Sequence, residues 1–157
     1  MGNAKDSVHL LKELIKIRSD NPGNYEKDIA IFISNLLEKN KINHKIIFSG
    51  KRRANIVGFL SGKKEKTLIL CGHLDTKPAD KKWIYNPFNP VVINKKIYGL
   101  GAADMKGGVA ALLSAIIQNK EMNLKNTVSF IFVADEEMNS EFGMKYLLRK
   151  GEIRGDF

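Results

Sequence analysis

Three short segments carry residues that could bind metal ions and move protons. They are Gly72-His73-Leu74-Asp75, Ala103-Asp104-Met105-Lys106-Gly107-Gly108 and Ala134-Asp135-Glu136-Glu137. Imidazole nitrogens and carboxylate oxygens are common ligands of zinc. Of two neighbouring carboxylates, one can bind a cation while the other accepts a proton from a water molecule that the cation has made more acidic. Together the three segments predict a metal site with a general base beside it.

Each segment also has an ordinary structural explanation when it is taken alone. His73 could simply end a strand near an unrelated Asp75, although Asp75 is placed to accept the second N–H of the imidazole and fix its orientation. Asp104 precedes a helical run and could cap it. The acids at 135–137 could form a solvated loop. The metal interpretation is favoured because three such explanations would have to coincide at the ends of successive elements.

Periodic patterns predict the elements that would position these segments. Helices with an apolar face are predicted at residues 6–17, 25–39, 109–118 and 140–150. Strands are predicted at residues 44–48, 55–60, 67–71 and 127–134. The run at 68–71 is predicted to be fully buried, and residues 61–64 are predicted to form the turn before its strand. Gly107 and Gly108 open the third helix and let the backbone approach its neighbours closely.

The connection from residue 72 to residue 101 is long and irregular, with a hairpin predicted through 91–93 and 96–98. Long irregular connections in a compact domain usually host functional sites. Strands that alternate with helices predict an α/β fold, with a mixed, mostly parallel sheet flanked by helices on both faces. The candidate segments then lie at the carboxyl ends of strands, where open α/β sheets bind ligands.

The composition predicts one water-soluble domain. The chain has 157 residues, of which 43% are hydrophobic and 27% charged, and no apolar run reaches the roughly 20 residues of a membrane span. The net charge of +9 raises the possibility of a nucleic-acid partner. However, the lysines are scattered, and the short basic clusters at 51–53 and 63–64 lie in predicted turns without alternating aromatic residues. We therefore predict a cytoplasmic protein with no nucleic-acid or membrane partner; the single Cys71 is compatible with a reducing compartment.

Several longer motifs follow one another along the chain. They are Gly72-His73-Leu74-Asp75, Trp83 with Pro87-Phe88, residues 98–108, and Asp135-Glu136-Glu137 with Gly143. In this order and spacing they resemble the M20 metallopeptidase family, which includes acetylornithine deacetylase, succinyl-diaminopimelate desuccinylase, aminoacylase and carboxypeptidase G2-like enzymes. The resemblance covers almost the whole chain. Leu100 departs from the family pattern, in which an arginine is common, but this position carries no ligand.

The resemblance implies roles for five residues. His73 would bind one zinc ion, Asp104 would bridge two zinc ions, and Glu137 would bind the other. Glu136 matches the general base that deprotonates the attacking water, and Asp75 matches the acid that orients His73. The implied reaction is hydrolysis of an amide or peptide bond in a small N-acylated amino acid or a peptide. Cobalt or manganese could replace zinc, because mixed histidine and carboxylate sites accept several divalent ions.

Members of this family are more than twice as long as this chain. The resemblance implies that residues 1–157 form the amino-terminal part of a truncated zinc-peptidase-like catalytic domain, without the lid or dimerisation domain and the carboxyl-terminal part. Each zinc ion would then lack one protein ligand. We therefore expect the chain alone to be nearly inactive and to need a complementing carboxyl-terminal half. The alternative is a non-catalytic binding or regulatory module that has kept the fold.

Overall fold

The computed structural model describes residues 6–156. Its helices are α1 (Ser7–Lys16), α2 (Lys27–Lys39), α3 (Lys106–Asn119) and α4 (Met144–Arg149). Its strands are β1 (His44–Gly50), β2 (Arg53–Leu60), β3 (Gly62–His73), β4 (Val91–Ile93), β5 (Lys96–Tyr98) and β6 (Leu124–Val133). Every predicted helix and strand is present, with shifted ends. Within residues 6–156, no helix is long and apolar enough to span a membrane.

Four strands form one mixed sheet in the order β1, β2, β6, β3. The pairs β1 with β2 and β2 with β6 are antiparallel, and β3 with β6 is parallel. The predicted α/β fold with a mixed sheet is confirmed, but the single parallel pair corrects the expectation of a mostly parallel sheet. A tight turn joins β1 to β2 and makes that pair antiparallel, whereas a long connection that includes α3 allows the parallel pairing of β3 with β6.

Alternate residues of β6 face two layers of the core. Phe130 and Phe132 belong to the larger layer, between the sheet and helices α1, α2 and α3. Ile131 and Val133 belong to the other layer and pack with Leu147 of α4. Burial of each phenyl side chain contributes about 1.5–3 kcal/mol to stability. Helices therefore cover both faces of the sheet, as the sequence predicts.

Two predictions about strand β3 are wrong, and the first is explained by the position of β3 at an edge of the sheet. The Leu68 side chain is 40% exposed and Cys71 is exposed, although this run is predicted to be fully buried. They remain accessible because, among the described residues, no strand covers the outer side of β3. The predicted turn at 61–64 is also wrong, because Gly62 and Lys64 already pair with β6.

The irregular connection between β3 and α3 contains the predicted hairpin. Strands β4 and β5 pair in antiparallel fashion around Asn94 and Lys95, whose φ angles are 49° and 62°. Two consecutive residues in the left-handed region are typical of the two-residue turn that suits a twisted hairpin. The Tyr85 and Tyr98 rings pack edge to face at 5.6 Å between their centroids. The hairpin prediction is confirmed.

Helix α4 begins later than the prediction at 140–150. Asn139 and Ser140 have φ angles of 94° and 60°, and residues in this left-handed region do not continue an α-helix. The helix therefore starts only after Gly143. A β-carbon at Gly143 would overlap the carbonyl oxygen of Ala134, so glycine lets the chain pass close to the end of β6.

Candidate metal centre

The three candidate segments meet at the carboxyl ends of β3 and β6. These neighbouring strands are parallel, and His73 is paired with Val133, so the residues that follow the two strands emerge side by side. Asp104 precedes α3, which packs against β3. One ligand atom from each of His73, Asp104 and Glu137 lies within 4.8 Å of the others. These residues form a group that could hold a metal ion.

Both nitrogens of the His73 imidazole have a partner. Nδ1 lies 3.0 Å from the carbonyl oxygen of Asp75 and 3.5 Å from its carboxylate Oδ1. Nε2 lies 2.9 Å from Oδ1 of Asp104. The contact with Asp75 therefore holds the ring with Nε2 directed at the other two members of the group. The imidazole is 6% exposed, which limits its access to bulk water.

The ionisation of His73 follows from these contacts. Burial by itself lowers the pKa of the imidazole, but hydrogen bonds with Asp75 and Asp104 outweigh burial and raise the pKa to about 9. A metal ligand must offer a free lone pair on its nitrogen. Metal binding at neutral pH would therefore release a proton from His73.

Asp104 does not cap α3. The cap position is occupied by Met105, and among the described residues no side chain makes a capping hydrogen bond at this helix end. The Asp104 side chain is instead 76% exposed. One carboxylate oxygen contacts Nε2 of His73, and the rest of the carboxylate is accessible to other ligands. The capping explanation that the sequence left open is therefore wrong.

Asp75 connects two of the three segments. It is fully buried, and its two carboxylate oxygens accept hydrogen bonds of 3.1 Å from the backbone N–H groups of Glu136 and Glu137. Burial would raise the pKa of Asp75, but hydrogen bonds from His73, Asn21 and these N–H groups outweigh it and keep the pKa below its usual value. Asp75 is therefore a carboxylate that contacts His73 and also fixes the loop after β6.

The adjacent acids Glu136 and Glu137 have different surroundings. The Glu137 side chain is only 9% exposed, whereas that of Glu136 is 53% exposed, with Oε2 3.8 Å from Nε2 of His73. Asp135, with a φ angle of 63°, begins the short 3-10 turn that contains both acids. This turn directs Glu137 into the cluster and leaves Glu136 beside it, facing solvent, which suits different chemical tasks.

Lys106 anchors the segment that carries Asp104. Its side chain is 1% exposed, and its ammonium group donates hydrogen bonds to the carbonyl oxygens of Leu14 (3.0 Å) and Ile17 (2.8 Å) at the end of α1. Burial lowers the pKa of Lys106 to about 8. A β-carbon at Gly107 would overlap a carbonyl oxygen of the preceding loop, so the predicted close approach is confirmed.

Sequence reasoning missed a buried polar cluster behind the site, formed by Asn21, Glu26 and Arg53. The sequence places Asn21 between the first two predicted helices, Glu26 in the second of them, and Arg53 in a basic turn. Arg53 instead begins β2, has a side chain only 11% exposed, and forms a 2.7 Å ion pair with Glu26. A single sequence carries no local signal for such contacts.

A large concavity lies away from this group. Its volume is about 750 Å³, and it lies on the sheet, where its lining includes Val57, Phe59 and Thr67. Its lining contains none of the grouped ligand residues. The convergence of donor atoms therefore locates the candidate site better than the size of a cavity does.

Comparison with known proteins agrees with the family resemblance of the motifs. The sequence model described as Peptidase family M20/M25/M40 matches residues 69–157. A "probable succinyl-diaminopimelate desuccinylase" of Staphylococcus aureus (strain MRSA252) is 34% identical over 153 residues, which cover 95% of this chain and 37% of that protein. The succinyl-diaminopimelate desuccinylase of Orientia tsutsugamushi (strain Ikeda) is 36% identical over 149 residues, which cover 90% of this chain and 37% of that protein.

A solved structure shares the fold. The crystal structure of human carnosine dipeptidase 1 matches with a TM-score of 0.82 at 24% identity, covering 96% of this chain and 36% of that protein. The chain thus spans little more than a third of the length of these relatives. The family match extends over more than half of the chain and contains the segments around Asp104 and Glu137. The chain belongs to peptidase family M20/M25/M40.

Proposed function

We propose that this chain is the amino-terminal, metal-binding part of the catalytic domain of a zinc-dependent hydrolase of amide or peptide bonds. The observation that supports the proposal best is the convergence of His73, Asp104 and Glu137 from three segments, with Glu136 beside them. Family membership supports the same reaction class. The type of enzyme would be an N-acyl amino acid deacylase, a metallo-carboxypeptidase or a dipeptidase.

The donor set suits zinc. One imidazole nitrogen and two carboxylate oxygens are the ligand types that catalytic zinc sites use. His73 would bind one ion, Glu137 would bind a second, and Asp104 would bridge them, since most of its carboxylate is exposed. Cobalt or manganese would also suit these donors. When bound, the metal would supply a positive charge that polarises the scissile carbonyl group and makes water more acidic.

Glu136 is the proposed general base. Its carboxylate is half exposed, lies at the edge of the cluster and is free to accept a proton from the attacking water. The same carboxyl group would then donate that proton to the leaving amine. Asp75 would keep the His73 ring oriented and hold the backbone of Glu136 and Glu137 by accepting their N–H groups.

Substrate class and domain organisation belong to the same proposal. Relatives named as desuccinylases and a dipeptidase support a small N-acylated amino acid or a peptide as the substrate. We propose that a carboxyl-terminal half complements residues 1–157 and completes the ligand set. We further propose a cytoplasmic location.

A chimera provides the test. This chain would replace the matched amino-terminal part of the Staphylococcus aureus relative, and hydrolysis of N-succinylated amino acids and dipeptides would be measured with and without zinc. We expect zinc-dependent hydrolysis that falls by about 10²- to 10⁴-fold in Glu136→Gln. The matched control is Glu121→Gln, because the Glu121 side chain is 88% exposed and pairs with Lys120 outside the site. Full activity of Glu136→Gln would exclude Glu136 as the base.

A further inference from the structure

We propose that Asn21 and Arg53 form a positioning pair for the metal centre. Asn21 holds the carboxylate of Asp75, and Arg53 holds Asn21. Through Asp75 the pair sets the orientation of the His73 ring and of the loop after β6. The inference rests on the proposed function, because the residues that it positions are the proposed metal ligands.

Asn21 joins the two segments that follow β3 and β6. Its Nδ2 donates hydrogen bonds of 3.0 Å to Oδ2 of Asp75 and to Oδ1 of Asp135. Its backbone N–H donates to the carbonyl oxygen of Thr76 at 2.8 Å, so the main chain is fixed at the same place. The residue is 2% exposed, and water therefore does not compete for these bonds. A side chain so placed holds two carboxylates of different segments at a fixed separation.

Arg53 fixes Asn21 from the other side. Its Nη2 donates to Oδ1 of Asn21 at 3.0 Å, and its Nη1 lies 2.7 Å from Glu26 and 3.2 Å from Asp135. The guanidinium carbon lies 4.1 Å from the ring centroid of Tyr25, which adds a cation–π contact. The planar, forked guanidinium is suited to several simultaneous hydrogen bonds, which a lysine ammonium cannot reproduce in the same plane.

Asp75 transmits this arrangement to the metal ligands. Oδ2 accepts hydrogen bonds from both Asn21 and the Glu137 N–H, and Oδ1 accepts from the Glu136 N–H and lies 3.5 Å from Nδ1 of His73. Rotation of this one carboxylate would therefore disturb the imidazole and the backbone of both acids together. Partners that orient metal ligands typically contribute about 10- to 100-fold to metal affinity.

Asn55 offers a matched comparison. It is fully buried like Asn21, but its amide nitrogen donates to Ser49 and to the carbonyl oxygen of Phe142, and its Oδ1 accepts from Ala134. Replacing it removes a buried amide without removing a hydrogen bond to Asp75. A general loss of stability, or a looser start of the loop after β6, would therefore affect Asn55 and Asn21 variants alike, because Asn55 bonds to Ala134. A positioning role through Asp75 would change the His73 imidazole only in Asn21 variants.

The test combines two measurements on the chain and its variants Asn21→Ala, Arg53→Lys and Asn55→Ala. Cobalt(II) is titrated and its binding followed by visible absorption, and the nitrogen chemical shifts of the His73 imidazole are recorded by NMR without added metal. We expect Asn21→Ala and Arg53→Lys to weaken cobalt binding by about 10- to 100-fold. We also expect both variants to shift the imidazole resonances. Asn55→Ala should lower the midpoint of thermal unfolding without weakening cobalt binding or shifting the imidazole resonances.

Several results would overturn the positioning role. One such result is that Asn21→Ala and Arg53→Lys bind cobalt with wild-type affinity and leave the His73 resonances unshifted. Another is that Asn55→Ala loses as much cobalt affinity as Asn21→Ala does. If Asn21→Ala does not fold, Arg53→Lys decides the outcome, because it keeps the positive charge and most of the side-chain volume. If the wild-type chain does not bind cobalt at all, the titration is repeated in the chimera, and absence of cobalt binding there as well overturns the proposed function. The resonance shifts of His73 still test the positioning pair in that case.

Discussion

Glu26 should make the stability of the protein fall as the pH rises from about 4.5 to above 7. The residue is fully buried, and its Oε1 accepts hydrogen bonds from Arg53 (2.7 Å) and from the Asp135 N–H (3.3 Å). Among the described residues, Oε2 has no hydrogen-bond partner. Burial is the main cause that raises the pKa of Glu26 from 4.5 to about 7; the nearby charge of Asp75 raises it further, and Arg53 opposes the rise.

The size and sign of the effect follow from this pKa. A rise from 4.5 to about 7 corresponds to about 3 kcal/mol of free energy. Between these two values the folded state binds more protons at Glu26 than the unfolded state does, so the free energy of unfolding decreases as the pH increases. The contribution is fully favourable below pH 4.5 and is lost above pH 7.

Glu26→Gln isolates this contribution. Glutamine keeps an oxygen acceptor for Arg53 and Asp135 but does not ionise. Urea denaturation at intervals from pH 4.5 to pH 8 gives the difference in free energy of unfolding between variant and wild type. We expect this difference to change by about 3 kcal/mol in favour of the variant across the range.

The control variant Glu141→Gln should change the free energy of unfolding with pH in the opposite direction. The carboxylate of Glu141 is exposed, and hydrogen bonds from Lys145 and Arg149 lower its pKa below 4.5, so Glu141→Gln should lose stability relative to wild type as the pH rises toward 4.5, and the difference should then stay constant from pH 4.5 to pH 8. The reasoning about Glu26 is refuted if the difference between Glu26→Gln and wild type does not vary with pH, or varies in the direction expected for Glu141.

Three further variants test the fold that carries the site, each by urea denaturation. Asp6→Ala removes the side chain that accepts a hydrogen bond in the first turn of α1 and should cost about 1 kcal/mol; an unchanged free energy of unfolding would contradict the cap. Phe130→Ala leaves a cavity in the larger core layer and should cost about 3–5 kcal/mol; a loss below about 1 kcal/mol would contradict its complete burial. Gly143→Ala places a β-carbon against the Ala134 carbonyl oxygen and should cost about 3 kcal/mol or more. Gly151→Ala meets no atom within 4 Å but has a φ angle of 67°, so it should cost only the roughly 1–2 kcal/mol of a left-handed backbone; equal losses would contradict the close approach.

The grouping of His73 with the acids after β6 could be predicted because it follows from local patterns. Continuous apolar runs identify the two strands, and the polar residues that follow each strand stand out against them. Once the strands are neighbours and parallel, their carboxyl ends meet. The hairpin around Asn94 and Lys95 was predictable for a similar reason, because a two-residue connection that begins with asparagine separates two short runs with apolar residues.

The features of the fold and of the site that could not be predicted depend on contacts between residues far apart in the chain or on the local backbone. Asn21 is separated from Asp75 by 54 positions and from Asp135 by 114, so no pattern of neighbours predicts their hydrogen bonds. The exposure of Leu68 depends on the position of β3 at the edge of the sheet, which its own apolar sequence does not specify. The late start of α4 depends on the backbone angles of Asn139 and Ser140, two residues that helices can also accommodate.

Zinc binding by the chain tests the metal site most directly. Equilibrium dialysis against zinc, followed by elemental analysis, would compare the wild type with His73→Ala and with His44→Ala. His44 is a suitable control because its ring nitrogens bond to Ser34 and to the carbonyl oxygen of Ile42, away from the cluster. We predict that the wild type and His44→Ala bind zinc with similar affinity, and that His73→Ala binds it more than about 100-fold more weakly, a larger loss than removal of an outer partner causes. Equal zinc binding by His73→Ala and the wild type would contradict the assignment of the metal centre.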